Sequence, residues 1–207
     1  PARTIGTAAP GQRALVTSGV AESPRHVVPG RAVGPDTLLL SNGRYSVMLT
    51  GQGTGYSRWN GIAINRWRRD PVADESGLAV YIHDFATGAV WPATPSVAES
   101  GSAEGSATFS QDKAEFQRTD NGITTHLQCL VSTEDDAEAR CLQLVNTSDG
   151  ARRIAYSVYM ELALARPEAD DAHPAFSKLF VETEFHPDLQ ALVAHRHAEH
   201  LVARIDQ

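Results

Sequence analysis

The sequence predicts an all-β fold, mainly antiparallel, built as a sandwich or barrel with few or no short helices. Three observations predict it. Short apolar runs with a period of two follow one another, each bounded by turn residues, and read as consecutive strands. Asn-Gly pairs, the strongest short hairpin signal, stand between such runs at Asn42-Gly43 and Asn121-Gly122. No long segment keeps a helical period.

Taken in order, residues 1–35 are rich in Pro, Gly, Ala and Arg and show no sustained period. They read as an extended leader or linker with at most one short strand, at 14–17. The β domain is expected over 36–207, with order beginning near Asp36. Residues 37–40 form a short apolar run, and Ser41-Asn42-Gly43 turns the chain. In 45–50, Tyr45, Val47 and Leu49 alternate against Ser46 and Met48. The glycine run at 51–55 is a hairpin turn needing positive φ. Strands follow at 56–59, 62–67, 78–84 and 90–91. The Ser-, Gly-, Ala- and Glu-rich stretch 96–107 suits a flexible surface loop. Further strands are expected at 108–110, 113–119, 123–131 and 139–146. Residues 153–164 are the clearest strand, because Ile154, Tyr156, Val158, Met160, Leu162 and Leu164 recur at every second position. Strands at 178–185 and 190–195 complete the set, and a short helix is admitted only at 70–77 or 167–173.

At 207 residues the chain is long enough for one β domain with a hydrophobic core of its own. A formal net charge of -7 argues against a nucleic-acid partner, which would need a basic surface. No apolar run approaches the roughly 18–20 residues that cross a bilayer. No apolar h-region marks a secretory leader, and a first residue of Pro1 fits either a removed initiator or a start inside a longer chain. Cys129 and Cys141 are too few for a disulfide framework. They fall on neighbouring strand-like runs, which leaves a cross-strand bridge open; two reduced thiols are the expectation for a cytoplasmic chain.

Candidate chemistry is sparse. The glycine run lacks the spacing and following helix of a dinucleotide loop and the Lys-Ser/Thr of a phosphate loop. Glu182 and Glu184, two apart on a strand, share a face at about 6.6 Å, a separation used by glycosidase carboxylate pairs. Such pairs approach a bond from two sides, which strand neighbours rarely do, so a solvated face is expected. His195 and His197 with His200 could hold zinc, but a charged chain end is expected to fray and no metal is assigned. Gly-x-Ser-x-Gly, His-Glu-x-x-His and Cys-x-x-Cys are all missing. No catalytic residue and no cofactor is assigned.

The most informative cluster is Tyr56-Ser57-Arg58-Trp59 with Asn65-Arg66-Trp67-Arg68-Arg69-Asp70. Aromatic faces stack on sugar rings, and arginine forks donate to hydroxyls or phosphate. Tyr56, Arg58, Trp59, Arg66, Trp67 and Arg68 are therefore the candidate carbohydrate-binding residues. The competing reading packs Trp59 and Trp67 structurally and pairs the arginines with Asp74 and Glu75.

The run Leu40-Ser41-Asn42-Gly43-Arg44-Tyr45-Ser46-Val47-Met48, then Gly55-Tyr56-Ser57-Arg58-Trp59 and Asn65-Arg66-Trp67-Arg68-Arg69-Asp70, resembles the phosphorylase-like module of cyclic β-1,2-glucan synthases, of the glycosyltransferase family 36 type. So do Phe109-Ser110-Gln111-Asp112-Lys113-Ala114-Glu115-Phe116 and His173-Pro174-Ala175-Phe176-Ser177-Lys178-Leu179-Phe180-Val181-Glu182-Thr183-Glu184-Phe185. The resemblance runs in order over 36–195. It departs at Asn60-Gly61, where such modules tend to have Arg-Asp, at Gln52 and Thr54 in the glycine turn, and in the tail 195–200.

The resemblance implies a galactose-mutarotase-like β-supersandwich, as in cellobiose phosphorylase, followed in such enzymes by a helical linker and an (α/α)6 barrel. The barrel carries the general acid and most of the phosphate site, so no catalytic residue transfers to these residues. The implied role is a non-catalytic, carbohydrate-associated domain of a bacterial glucan synthase or glycoside phosphorylase-like enzyme. It would be cytoplasmic, held at the inner face of the inner membrane through its parent. Its implied partners are the parent's barrel, a β-glucan or oligosaccharide, and a second copy in a homodimer. Two alternatives stay open. One is an autonomous carbohydrate-binding module with an exposed aromatic platform. The other is an aldose-epimerase-like enzyme, which needs a His and a carboxylate in one cleft: His83 with Asp84, or His126 with Glu115.

Overall fold

Period-two alternation becomes three packed sheets in the computed structural model, which describes residues 23–28, 36–67, 77–97 and 103–197. The expected strand at 14–17, residues 70–76 of the helix alternative, Arg68, Asp74, Glu75 and His200 lie outside the described residues. The strands are β1 (Arg25–Val27), β2 (Thr37–Ser41), β3 (Tyr45–Thr50), β4 (Gly55–Trp59), β5 (Ile62–Asn65), β6 (Leu78–Asp84), β7 (Val90–Pro92), β8 (Ser96–Val97) and β9 (Ala103–Glu104). They continue with β10 (Ser106–Phe109), β11 (Lys113–Asp120), β12 (Ile123–Val131), β13 (Glu138–Asn146), β14 (Ile154–Met160) and β15 (Leu162–Ala165). Two short helices, α1 (Pro167–Ala172) and α2 (Pro174–Ser177), and a 3-10 turn at Lys178–Phe180 precede β16 (Val181–His186) and β17 (Ala191–Arg196).

The first sheet has the order β1-β10-β11-β12-β13, the second β15-β5-β4-β3-β2 and the third β14-β6-β7; β8–β9 and β16–β17 are separate hairpins. The first sheet faces the other two. Phe109, Phe116, Ile123 and Leu127 of the first pack with Val47 and Leu49 of the second and Val80, Ile82 and Trp91 of the third in one buried cluster. Each aliphatic or aromatic side chain so buried contributes about 1.5–3 kcal/mol. Asn60-Gly61 (φ 46 and 82) and Asn121-Gly122 (φ 50 and 75) close β4–β5 and β11–β12 as two-residue loops. Positive φ at both positions is the type I′ geometry that matches strand twist.

Several elements differ from the sequence reading. The sheet reaches back before Asp36, since β1 pairs with β10. The stretch read as a loop at 96–107 contains the β8–β9 pair and the start of β10, because backbone pairing tolerates a polar composition. β5 stops at Asn65, not at 67. There the Asn65 side chain accepts from Ser57 N at 2.6 Å and donates to Gly55 O at 3.0 Å, taking over the ladder's bonds. The single strand expected at 153–164 is two strands in different sheets, parted at Glu161. The Glu161 carbonyl accepts from Arg66 N at 2.8 Å, and Leu164 takes a φ of 49 where the β15 register shifts. Residues 178–180 are a 3-10 turn, because the helical course begun by Pro167 and renewed by Pro174 runs on through them. Among the described residues no helix is long and apolar enough to cross a membrane.

Candidate functional site

Alternation along β4 divides the predicted saccharide cluster between two faces. Tyr56 and Arg58 share one face, with the Arg58 guanidinium carbon 4.1 Å from the Tyr56 ring centre. That is close cation–π stacking. Trp67 joins them, its ring centre 6.0 Å from that of Tyr56 and tilted by 58°. All three are half-buried. Arg58 Nε and Trp67 Nε1 are buried and make no hydrogen bond among the described residues. Trp59 lies on the other face at the hairpin end, 43% exposed. Its indole Nε1 donates to Asp136 Oδ2 at 2.6 Å, and Arg44 Nε donates to Asp136 Oδ1 at 2.7 Å. The Arg44 hydrogen bond first, and Trp59 second, hold the Asp136 carboxyl below its usual range.

Arg66 is directed elsewhere. It is 7% exposed and clasps Asp170 of α1 through Nε–Oδ2 at 2.6 Å and Nη2–Oδ1 at 2.5 Å. Its Nη1 donates to Glu161 Oε1 at 2.5 Å and its Nη2 to the Pro174 carbonyl at 3.2 Å. The Asp170 bond is the main cause that raises the Arg66 pKa. Lys178 pairs with Glu161 and, ahead of Arg66, draws that carboxyl below its usual range. This network straps the helical segment onto the second sheet at the Glu161 crossing. The structure thus brings Tyr56, Arg58 and Trp67 together, sets Trp59 apart and buries Arg66.

A second feature has no counterpart in the sequence reading. Between β13 and β14, the outermost strands of the first and third sheets, the sandwich gapes in a cleft of about 460 Å³. Glu138, Arg140, Leu142 and Leu144 line it from β13, and Tyr156 and Val158 from β14. Tyr156 pairs with Ile82 and Val158 with Val80, both buried, so these side chains point inward. They are nevertheless 64% and 56% exposed. The period-two run of β14 was visible in the sequence. That its inner face stays open depends on which strand lies opposite, and periodicity carries no such information.

The remaining candidates separate cleanly. His83 and Asp84 point to opposite faces: His83 Nε2 meets Ser157 Oγ at 2.7 Å, while Asp84 is buried on Arg152. His126 and Glu115 do line one shallow depression of about 250 Å³, with His26. The Glu115 carboxylate there accepts from Gln128 at 2.8 Å and pairs with Lys113 at 3.1 Å. Cys129 is buried, and burial pushes its thiol up to about 11. Cys141 lies opposite Gln128, on the other face of the sheet, and is exposed. A cross-strand bridge is thereby excluded. Glu182 and Glu184 lie on one exposed face of β16, where Glu182 meets His195 and His197.

Comparison with known proteins adds the following. Residues 29–203 match the model of the glycosyl hydrolase 94 supersandwich domain. The chain is 47% identical over 152 residues to the cyclic beta-(1,2)-glucan synthase NdvB of Rhizobium meliloti, covering 72% of this chain and 5% of that protein. It is 25% identical over 160 residues to an N,N'-diacetylchitobiose phosphorylase of Vibrio proteolyticus, covering 75% of this chain and 20% of that protein. The chain thus spans a small part of either relative's length.

Proposed function

The chain belongs to the glycosyl hydrolase 94 supersandwich domain family, and from that premise we propose that it is a non-catalytic, carbohydrate-associated domain of a longer glucan-synthesising or phosphorolysing enzyme. One observation carries this reading: the open cleft between β13 and β14, where inward-facing side chains of both sheets stay solvated. A sandwich that acts alone closes its core, because exposed apolar inner faces forgo the burial that stabilises it. Further chain from the longer enzyme covers this cleft and the exposed Phe176, Leu179, Leu189 and Leu192 of the later segment. In that arrangement the domain packs on the (α/α)6 barrel and shapes the glucan groove. A copy-to-copy contact and a seat at the cytoplasmic face of the inner membrane belong to the longer protein.

Arg58 Nε and Trp67 Nε1, which find no hydrogen-bond partner among the described residues, favour a second role on the same domain, saccharide contact by Tyr56, Arg58 and Trp67. Arg66 positions the neighbouring segment, Trp59 and Arg68 complete the candidate set, and an autonomous carbohydrate-binding module would use the same platform. One comparison tests both. The 207-residue chain, given inorganic phosphate, is expected to release neither sugar phosphate nor free sugar from β-1,2-glucan and to bind the apolar dye ANS strongly. Within the longer enzyme the dye signal per domain is expected to fall several-fold. Turnover by the isolated chain, or equal dye binding in both contexts, overturns the packing role. Tryptophan fluorescence of the isolated chain that stays flat with glucan oligosaccharides at millimolar concentration overturns saccharide contact.

A further inference from the structure

The sequence reading left His195 and His197 at a fraying end with no metal assigned. The geometry is different. β17 pairs with β16 over its whole length, with His195 directly across from Glu182. His197, just past the strand, is held by its backbone, since His197 N donates to the Phe180 carbonyl at 2.9 Å. Arg196 points the other way: its Nη1 donates to Ser177 O at 2.9 Å and to Ala163 O at 3.3 Å, and its guanidinium packs on the Phe180 ring. Alternation then leaves His195 and His197 together on the solvent side, their ring centres 4.7 Å apart.

We propose that Glu182, His195 and His197 form a surface site for a borderline divalent transition metal of the zinc type. One ligand atom from each lies within 4.8 Å of the other two. His195 Nε2 is 3.5 Å and His197 Nε2 is 3.1 Å from the same Glu182 Oε2. A tetrahedral zinc ion with bonds of about 2.0–2.1 Å separates its ligand atoms by about 3.3–3.4 Å. The two observed distances bracket that edge, and the remaining edge between the two imidazoles, within 4.8 Å, is closed by side-chain rotation at the exposed strand surface. Two imidazoles and one carboxylate suit zinc, nickel or copper, and suit magnesium or calcium poorly. The side chains are between 42% and 63% exposed, which leaves water for the fourth position. Bound metal would clip β17 to β16 across their register.

The experiment titrates the tag-free chain with zinc by calorimetry and with cobalt by visible absorption. A saturable one-to-one event with a dissociation constant in the micromolar range, and the intense visible bands of four-coordinate cobalt, are expected. Glu182→Gln and His197→Ala should each weaken binding at least about tenfold. His186→Ala, which removes the other His–Glu contact on the hairpin (His186–Glu184, 3.6 Å), should leave it unchanged. All three substituted side chains are solvent-facing, so far-UV circular dichroism should match the parent in each variant. No saturable binding below millimolar metal, or equal binding in parent, Glu182→Gln and His197→Ala, overturns the site.

Discussion

Arg66 shows how a residue can stand out in the sequence while its partners stay out of view. Its position beside Trp67 and Arg68 suggested a fork aimed at ligand, with Asp74 and Glu75 as the alternative partners. The structure pairs it instead with Glu161 and Asp170, far along the chain. Partners so distant are invisible to spacing arguments, which see only neighbours in sequence. The side chain is nearly buried, and removing it takes two charge-assisted bonds from the buried Asp170 and one from Glu161. Arg66→Ala is therefore expected to cost about 3–5 kcal/mol, the range for breaking one partner of a buried pair. Urea denaturation checks this; a loss below about 1 kcal/mol would show the pair is not dry. Arg66→Lys is expected to recover only part, because an ammonium cannot reproduce the two parallel bonds to Asp170.

Most strands were legible as elements, because inward and outward positions alternate along them. β3 follows its predicted alternation closely, and β11 and β12, expected as strands, alternate along most of their length. What was not legible was sheet membership. The run at 153–164 has one unbroken period yet feeds two sheets, and its break at Glu161 depends on Arg66 and Lys178 arriving from elsewhere. Asn60-Gly61, a departure from the family pattern, is also an Asn-Gly hairpin signal, and it closes β4–β5. Within the glycine run, Gly55 has the tightest requirement. A Cβ there would stand 1.8 Å from the Met48 carbonyl oxygen on the paired strand. Gly55→Ala is thus expected to push β4 off β3 and lower the thermal midpoint by roughly 4–12 °C, as a loss of about 2–3 kcal/mol does in a domain of this size. Differential scanning calorimetry measures it, with Gly61→Ala as the milder comparison, since a Cβ at Gly61 meets nothing within 4 Å.

The whole molecule is held at its rims by ion pairs as well as at its centre by apolar packing. Asp84 is buried on Arg152 and accepts from Thr87 and the Ala86 amide, and the Arg152 bond leads the fall of its pKa from 3.8 to about 2. Asp136 and Glu161 are shifted in the same direction. Each carboxyl binds protons less readily folded than unfolded. The stability they contribute is thus complete above the unfolded values and drains away as pH falls from about 4.5 towards about 2. Urea midpoints at pH 6 and pH 3 are expected to differ, the latter being lower, and Asp84→Asn should narrow the gap. Equal midpoints would contradict this. At this scale the sandwich class was legible from strand count and turn chemistry. The open cleft was not, since it is set by which strand each sheet leaves at its rim.

The two cysteines on opposite faces of the β12–β13 ladder give the protein a built-in clock. Cys141 faces water and reacts with a thiol label at the rate of an open thiol. Cys129, buried and with a pKa near 11, is shielded until the ladder around it parts. The ratio of the slow to the fast labelling rate therefore reads the fraction of time this sheet spends open, in the native protein and without denaturant.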